Sequence, residues 1–309
     1  MTVEEVVVRM QNKPYILEMG KNKIAKWLGC SVEDVREAKR IIRNIKDKVG
    51  NKKSPRILLF DLETSPLRGY VFSLWKQNIS LDAIISNWFL LAYSCKWLGE
   101  DKVYSNVLTP TEVKEENDFR LVADLWEYLN TADYVIAHNS KQFDVPRTKA
   151  RFIIHGLMPP SYYQQIDTLE VARKEFGFSS NKLDALARIF GFEGKAPTTF
   201  KLWADCMDGD QIALKYMEDY NRQDVLVLEK VYLKLRPYIR SHPNWNLYTE
   251  INEALCPSCG SKNVVQEGNY YTQTGKYETY KCLDCGAISR ERKTVVPKEK
   301  VILVSIPGR

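Results

Sequence analysis

From Ile57 the chain reads ILLF, four apolar residues in succession that end at Asp61. A short unbroken apolar run of this kind predicts a buried strand. The segment NWFLLAYSCKWLGEDKVYSNVL is also rich in β-formers, and Gly99-Glu100-Asp101 offers the turn of a hairpin. Helical periodicity returns over residues 118–129, and YVIAHN then reads as another buried strand. Beyond it the pattern is mainly helical, with helices predicted around residues 145–155, 183–190 and 211–235. Strands early, helices late and one strand–helix alternation predict a mixed α/β layer fold.

Upstream of Ile57 the pattern predicts two short helices over residues 22–45. Ile24, Ala25 and Leu28 fall at helical spacing before Gly29 and Cys30 interrupt them. Ser31 followed by Asp34 then forms a capping box, with Asp in the place usually taken by Glu. On the second helix Val35, Ala38, Ile42 and Ile45 make an apolar stripe, and Arg36, Lys39, Arg40 and Arg43 a basic one. KNKIAKWLGCSVEDVREAKR resembles a helix-turn-helix module, which implies insertion of the second helix into a DNA major groove. The plainer alternative is a solvated basic face on a small packing domain. KDKVGNKKSPR, basic and punctuated by Gly, Ser and Pro, reads as a linker ending near Arg56.

Composition adds one asymmetry to this picture. The 309 residues are 44% apolar, enough for a sizeable core, and the formal net charge is only +6. Residues 1–55 carry 13 basic and 7 acidic side chains, residues 256–309 carry 9 and 5, and residues 56–255 carry 23 and 27. A weakly acidic body between two basic ends is the feature that calls for an explanation. No apolar run approaches the ~18 residues of a membrane span, and MTVEEVVVRM lacks the features of a signal peptide. A soluble, cytoplasmic protein with no membrane partner is expected. Three parts are expected as well: residues 1–55, residues 56–245, and residues 250–309 with a basic tail.

Candidate chemistry begins at Asp61-Leu62-Glu63, because alternation along a strand puts both carboxylates on one face. Acids converging on a buried strand are costly unless neutralised. Divalent cations do this, and an all-oxygen donor set suits Mg²⁺ or Mn²⁺. Alone, such a pair is more commonly two acids at an exposed strand end. HNSKQFD follows the second apolar strand and brings Asp144 to a helix start, where it could serve only as a cap. In YNRQD, Tyr220 and Asp224 are four residues apart and share a helix face.

Together and in this order, FDLET, HNSKQFD and YNRQD resemble the three exonuclease motifs of the DEDD superfamily, in its tyrosine-bearing branch, over about residues 57–240. The stretch is similar to the proofreading exonuclease domains of family B DNA polymerases and to stand-alone RNase H-like exonucleases of phages and bacteria. The matching residues are Asp61 and Glu63, then Asn139, Phe143 and Asp144, then Tyr220 and Asp224. The resemblance implies an RNase H-like mixed sheet flanked by helices, and a metal-dependent 3′–5′ exonuclease that hydrolyses phosphodiester bonds with two Mg²⁺ or Mn²⁺ ions. It implies that Asp61 bridges the ions, that Glu63 and Asp224 complete one site, that Asp144 helps to hold the other, and that Tyr220 orients the attacking water. A phenol of ordinary pKa, near ~10, is a poor base at neutral pH, which leaves activation of the water to the metal.

The implied partner is DNA, with RNA as the alternative; Asn139, Phe143 and the basic stripe at Arg36, Lys39, Arg40 and Arg43 are candidate contacts. The rival readings are a structure-specific endonuclease of the same fold and an inactive nucleic-acid-binding or regulatory protein. None of the three histidines, His138, His155 and His242, falls in the helix of Asp224, so the histidine branch of the superfamily does not apply. His138 is expected to be a satisfied polar residue at a strand end. Asp167 reads either as a support for the metal site or as a helix cap. Residues 182–186 and 195–201 lie in a region that often shapes the strand groove in this family, and Phe200, Trp203 and Tyr216 are expected in the core.

Cys256-Pro257-Ser258-Cys259-Gly260 and Cys282-Leu283-Asp284-Cys285-Gly286 are paired CxxCG knuckles. Four thiolates so spaced predict one tetrahedral Zn²⁺ of structural type, and the sequence between them alternates aromatic and polar residues around Thr274-Gly275 as a hairpin would. The whole resembles a zinc ribbon. Its tyrosines and the RERK run at 290–293 offer stacking and phosphate contacts if they face outwards. A redox role for either CxxC is the lesser alternative, since no βαβ pattern surrounds it.

Overall fold

The computed structural model describes residues 2–11, 16, 19–48, 54–73, 75–76, 78–194, 197–249 and 253–306, with the side chains of 4, 8, 11, 41, 43–48 and 298 outside the description. Arg43, Ile45, Lys195 and most of the expected linker therefore lie outside it. The chain falls into two compact units, one of Met1–Gly50 with Arg56–Val231 and the other of Asn51–Pro55 with Tyr232–Arg309.

Three helices open the first unit: α1 (Val3–Gln11), α2 (Lys21–Leu28) and α3 (Val32–Lys48). Gly29 closes α2 in the left-handed conformation, at φ +68°. The Ser31–Asp34 capping box forms in both directions, with the Asp34 N–H donating to Ser31 Oγ and the Ser31 N–H to Asp34 Oδ2, each at 3.0 Å. Val35, Ala38 and Ile42 are buried, and they close over Ile24, Ala25 and Leu28 of α2 and over Val6, Val7 and Met10 of α1. Helix α1 spaces Val3, Val6, Val7 and Met10 along one face, starts at a Thr2–Glu5 capping box, and completes this small core with that face.

The body of the unit continues with β1 (Ile57–Thr64), the short pair β2 (Arg68–Gly69) and β3 (Ile84–Ser86), β4 (Leu90–Trp97) and β5 (Val103–Val107). Helices α4 (Pro110–Lys114) and α5 (Phe119–Thr131), strand β6 (Tyr134–Ala137), helix α6 (Asp144–Ile154) and strand β7 (Gln164–Asp167) follow. Helices α7 (Thr168–Glu175), α8 (Leu183–Ile189), α9 (Phe200–Met207) and α10 (Gln211–Leu235) complete it. The main sheet has the order β5-β4-β1-β6-β7, with β1 central, β4 and β5 antiparallel, and β6 and β7 parallel. Crossovers through helices make the parallel half possible.

Side-chain alternation divides β1 between two environments. Leu58, Phe60 and Leu62 join a core with Leu121, Leu125, Trp126 and Leu129 of α5. The opposite face carries Leu59 and Asp61, and it lies against α10: Lys96, the register partner of Leu59, holds Glu229 with contacts of 2.7 and 2.8 Å. Lys96 is buried and Glu229 largely so, so the pair aligns α10 with the sheet more than it stabilises it.

A second buried charge group fastens α6 to the sheet. Asp118 accepts from the Leu90 N–H at 2.7 Å and from Arg151, with His155 Nε2 against the same carboxylate. Burial alone would raise the Asp118 pKa, but the His155, Arg151 and backbone hydrogen bonds hold it below the usual carboxylate range.

The second unit contains β8 (Val264–Tyr271), β9 (Lys276–Cys282) and β10 (Ile288–Arg290), a three-stranded antiparallel sheet with β9 in the middle. The hairpin between β8 and β9 turns at residues 272–275, where the Thr272 N–H donates to the Gly275 carbonyl at 2.9 Å. Phe200 and Tyr216 depart from their expected place: both are exposed, and only Trp203 packs against the core. Helix α9 turns Leu202, Trp203 and Cys206 inwards, which leaves Phe200 on its outer side.

Asp118→Ala is expected to destabilise the protein by about 3–5 kcal/mol, because it leaves Arg151 buried without its counter-charge. Denaturant unfolding at pH 7 measures this. Because the native Asp118 pKa is depressed, its contribution is present above about pH 4 and is lost as pH falls through the native value, so the gap between wild type and variant narrows in acid.

Candidate active site

Strand β1 delivers Asp61 and Glu63 to one face, two positions apart, as alternation requires. Directly after Glu63 the pairing with β4 shifts register, since Glu63 faces Ala92 and Thr64 faces Leu90. Such a bulge re-aims the side chains beside it. Helix α10 crosses this face and presents Tyr220, Asn221 and Asp224 on successive turns. One carboxylate oxygen from each of Asp61, Glu63 and Asp224 lies within 4.8 Å of the other two. Ligands on opposite sides of one Mg²⁺ stand about 4.2 Å apart, so small movements would bring all three onto one ion.

Asp144 enters from the first turn of α6, and it is not the cap of that helix, whose N-cap is Phe143. Its carboxyl is 2% exposed, and Oδ1 has no hydrogen-bond partner. Burial, and then the neighbouring charge of Asp61, push its pKa well above the usual range. A buried, incompletely bonded carboxyl beside other acids is unfavourable by itself. A divalent cation would remove both penalties, and the all-oxygen donor set of Asp61, Glu63, Asp144 and Asp224 fits Mg²⁺ or Mn²⁺.

The turn before Asp144 is held from another element. Asp167 accepts from the backbone N–H of Asn139 at 2.9 Å and of Lys141 at 3.1 Å, while also capping α7 through the N–H of Leu169 at 3.0 Å. Asn139 needs this restraint because its φ is +70°. Asp167 is thus a cap and a clamp, and it is not among the clustered acids. His138 is satisfied at its strand end, with Nδ1 2.9 Å from Thr168 Oγ1. Phe143 is half-buried and stacks on Arg147. Beside the turn opens a cavity of about 560 Å³ lined by His138, Asn139, Arg173, Ser180, Asn181 and Lys182.

Sequence reading passed over Asn221. It is fully buried, and its Nδ2 donates to Asp61 Oδ2 at 2.7 Å. The signal was available: an amide in the helix between Tyr220 and Asp224 falls on the inward side once α10 faces the strand. It fixes the Asp61 carboxylate and partly offsets the like charges around it.

The basic stripe of α3 is largely engaged in local pairs. Arg36 meets Glu33 at 2.7 Å, Arg40 meets Glu37 at 2.6 Å, and Lys39 donates to the Met19 carbonyl at 3.1 Å. Exposed pairs of this type are weak and exchange readily for a stronger anion.

In the second unit the four sulfurs of Cys256, Cys259, Cys282 and Cys285 lie within 4.8 Å of one another, with 3.6 Å between Cys256 and Cys285 and 3.7 Å between Cys259 and Cys282. These are far too long for disulfides. They match the edge of a tetrahedron, about 3.8 Å, that metal–sulfur bonds of ~2.3 Å generate. The knuckles are alike: the Gly260 N–H donates to the Cys256 carbonyl at 2.8 Å and the Gly286 N–H to the Cys282 carbonyl at 2.9 Å. Both glycines have positive φ, and a Cβ on Gly260 would lie 2.8 Å from the Trp245 ring. Burial opposes ionisation of Cys282, but the amides of Cys285 and Asp284 and the adjacent thiols bring its pKa down to about 7.

A family model described as RNase H superfamily matches residues 91–236. The match takes in Asp144, Tyr220 and Asp224 and begins after Asp61 and Glu63. No curated protein sequence matches the chain. Among solved structures, the family B DNA polymerase of the hyperthermophilic archaeon Pyrobaculum calidifontis is similar over 60% of this chain and 25% of its own, at 15% identity and a TM-score of 0.46. The chain thus spans about a quarter of that polymerase. The mixed five-stranded sheet flanked by helices is consistent with an RNase H-like fold, in agreement with the family model over residues 91–236. Among the described residues no helix is long and apolar enough to cross a membrane.

Asn221→Ala is expected to weaken Mn²⁺ binding by roughly 10–100-fold, the usual cost of losing a group that orients a metal ligand. Calorimetric titration of the purified protein measures it without reference to any reaction.

Proposed function

We propose that the protein is a metal-dependent 3′–5′ exonuclease that hydrolyses phosphodiester bonds of DNA. The observation that carries this reading is the meeting of Asp61, Glu63 and Asp224, from a strand and a distant helix, with the buried Asp144 against Asp61. Acids gathered from a strand and a distant helix, with Asp144 and Asp224 fully buried, have no structural use that an apolar group would not serve better. Two bound divalent ions would supply Lewis acidity and an activated water for an in-line displacement at phosphorus.

The chain's own residues do the positioning. Asp61 sits between the other acids, held by Asn221; Glu63 and Asp224 complete one ion site with it, and Asp144 the second. Tyr220, four residues before Asp224 on the same helix face, directs its hydroxyl towards the attacking water. Asn139, on its clamped turn, and the cavity carrying Arg173 and Lys182 receive the strand beside the cleaved bond. The four cysteines hold one Zn²⁺ that folds the ribbon, and the ribbon and the three N-terminal helices grip the nucleic acid outside the site. The opposite charges of body and ends suit this division, since the acidic body needs cations before a phosphate can approach and the basic ends do not.

With end-labelled single strands and Mn²⁺, stepwise release of mononucleotides from the 3′ end is the expected outcome. Internal cuts in a circular substrate would instead make the protein an endonuclease. Asp61→Ala and Asp224→Ala should each abolish cleavage while leaving DNA binding largely intact; cleavage at the full rate would move the active site elsewhere. For the ribbon, metal analysis of the purified chain should find one Zn²⁺, and Cys282→Ser should lose it together with the folding of the second unit, read as loss of its protection from proteolysis.

A further inference from the structure

On the face of the main sheet that meets α10, cross-strand register lines up three polar residues. Asp61 of β1 pairs with Ser94 of β4, and Ser94 pairs in turn with Ser105 of β5. Residues directly opposite each other share a face, and neighbouring strands are about 4.8 Å apart. Helix α10 holds both ends of this row. At one end Asn221 Nδ2 donates to Asp61 Oδ2 at 2.7 Å. At the other, Ser105 Oγ donates to Glu218 Oε1 at 2.6 Å and accepts from the Arg222 guanidinium at 2.9 Å. Asn221 and Arg222 are consecutive, so the middle of the row lies beneath the segment of helix that carries them.

Ser94 occupies that middle position. It is fully buried, and its hydroxyl has no hydrogen-bond partner. Asn221 is fully buried as well, and its Oδ1 has no partner either. An ionised carboxylate only accepts, so the amide must turn its nitrogen to Asp61 and its oxygen away. Leaving either group unbonded in the interior is costly. The two are complementary, since the hydroxyl can donate and the amide oxygen accepts. Their neighbours are engaged or unsuited: Ser105 serves Glu218, Lys96 on the same face of β4 holds Glu229, and Val225, one turn beyond Asn221, is apolar and buried.

We infer that Ser94 is a positioning residue of the carboxylate site: its hydroxyl donates, through one buried water, to Asn221 Oδ1 and so fixes the amide that orients Asp61. A water suits the place because it joins polar groups beyond direct reach of each other, and interiors keep such waters as part of the fold. The amide is then locked, since a half-turn about its Cβ–Cγ bond would set oxygen against the Asp61 carboxylate. Ser94 thus acts on the site from the neighbouring strand and touches neither ion nor substrate. The effect on a bound metal rests on the nuclease reading; the link from Ser94 to Asn221 does not.

A double-mutant cycle on the full chain tests the link. In calorimetric titration with Mn²⁺, Ser94→Ala is expected to weaken binding roughly tenfold, the low end of the cost of losing a group that orients a metal ligand. Added to Asn221→Ala, the same change should cost less than about twofold, because the amide through which it acts is gone. Ser94→Thr should keep most of the wild-type affinity, whereas Ser94→Val, similar in shape but without the hydroxyl, should match the alanine variant. A packing role would move Thr and Val together, and that result overturns the inference. Urea unfolding of wild type, the two single variants and the double variant in EDTA reads the link without metal. There the midpoint loss of the double variant should be smaller than the sum of the single losses. Additive losses in that cycle, or a Mn²⁺ affinity unchanged by Ser94→Ala, would also overturn it. Failure of the nuclease reading has a different signature, a wild-type protein that takes up no Mn²⁺ while the urea cycle still shows the coupling.

Discussion

Like charges gathered out of water at the end of one strand are the constraint on which the rest of this structure turns. Asp61, Asp144 and Asp224 repel each other, and two of them are buried almost completely. Nothing in the fold requires acids there, so the elements that deliver them must be held against that repulsion by other means. The central position of β1, the bulge after Glu63 and the inward face of α10 all serve to bring the oxygens together rather than apart.

The means are largely polar. Lys96 with Glu229 sets α10 on the sheet, Asp118 with Arg151 and His155 sets α6, and Asp167 ties the turn before α6 to the start of α7. Each joins elements far apart in sequence, and each has strict directional demands that apolar packing lacks. Buried ion pairs contribute little net stability against an apolar replacement. Their value here is register: a helix that slid by one residue would break its bond and also remove an acid from the cluster. Asn221 works at shorter range, since it both orients Asp61 and supplies a donor where only acceptors would otherwise meet.

The two units solve the problem of buried ligands in different ways. In the first, a large core pre-forms the place and the acids are forced into it. In the second, the core is small, and the sulfurs themselves, with Ala287 and Val264, make up most of what is buried around them. A site of that kind would depend on a metal for its folding, whereas the carboxylate site takes its shape from the fold before any ion binds.

Much of this was legible along the chain. The apolar runs at ILLF and YVIA, the hairpin around Gly99, the Ser31–Asp34 box and the full extent of Gln211–Leu235 follow from periodicity and capping, which act over a few residues. So does the pairing of the knuckles, because CxxCG sets its own turn. Other features depend on contacts that no local window contains. Phe200 and Tyr216 are exposed because α9 and α10 present other residues to the core. Asp167 reads as a cap until the turn at Asn139 comes within 3 Å of it. The sequence by itself determined which residues can ligate a metal and in what order they occur, because chemistry and local conformation are properties of short segments. Only the tertiary structure decided that Asn221 meets Asp61 across 160 residues and that one oxygen of Asp144 is left without a partner, because burial and encounter are properties of the whole fold.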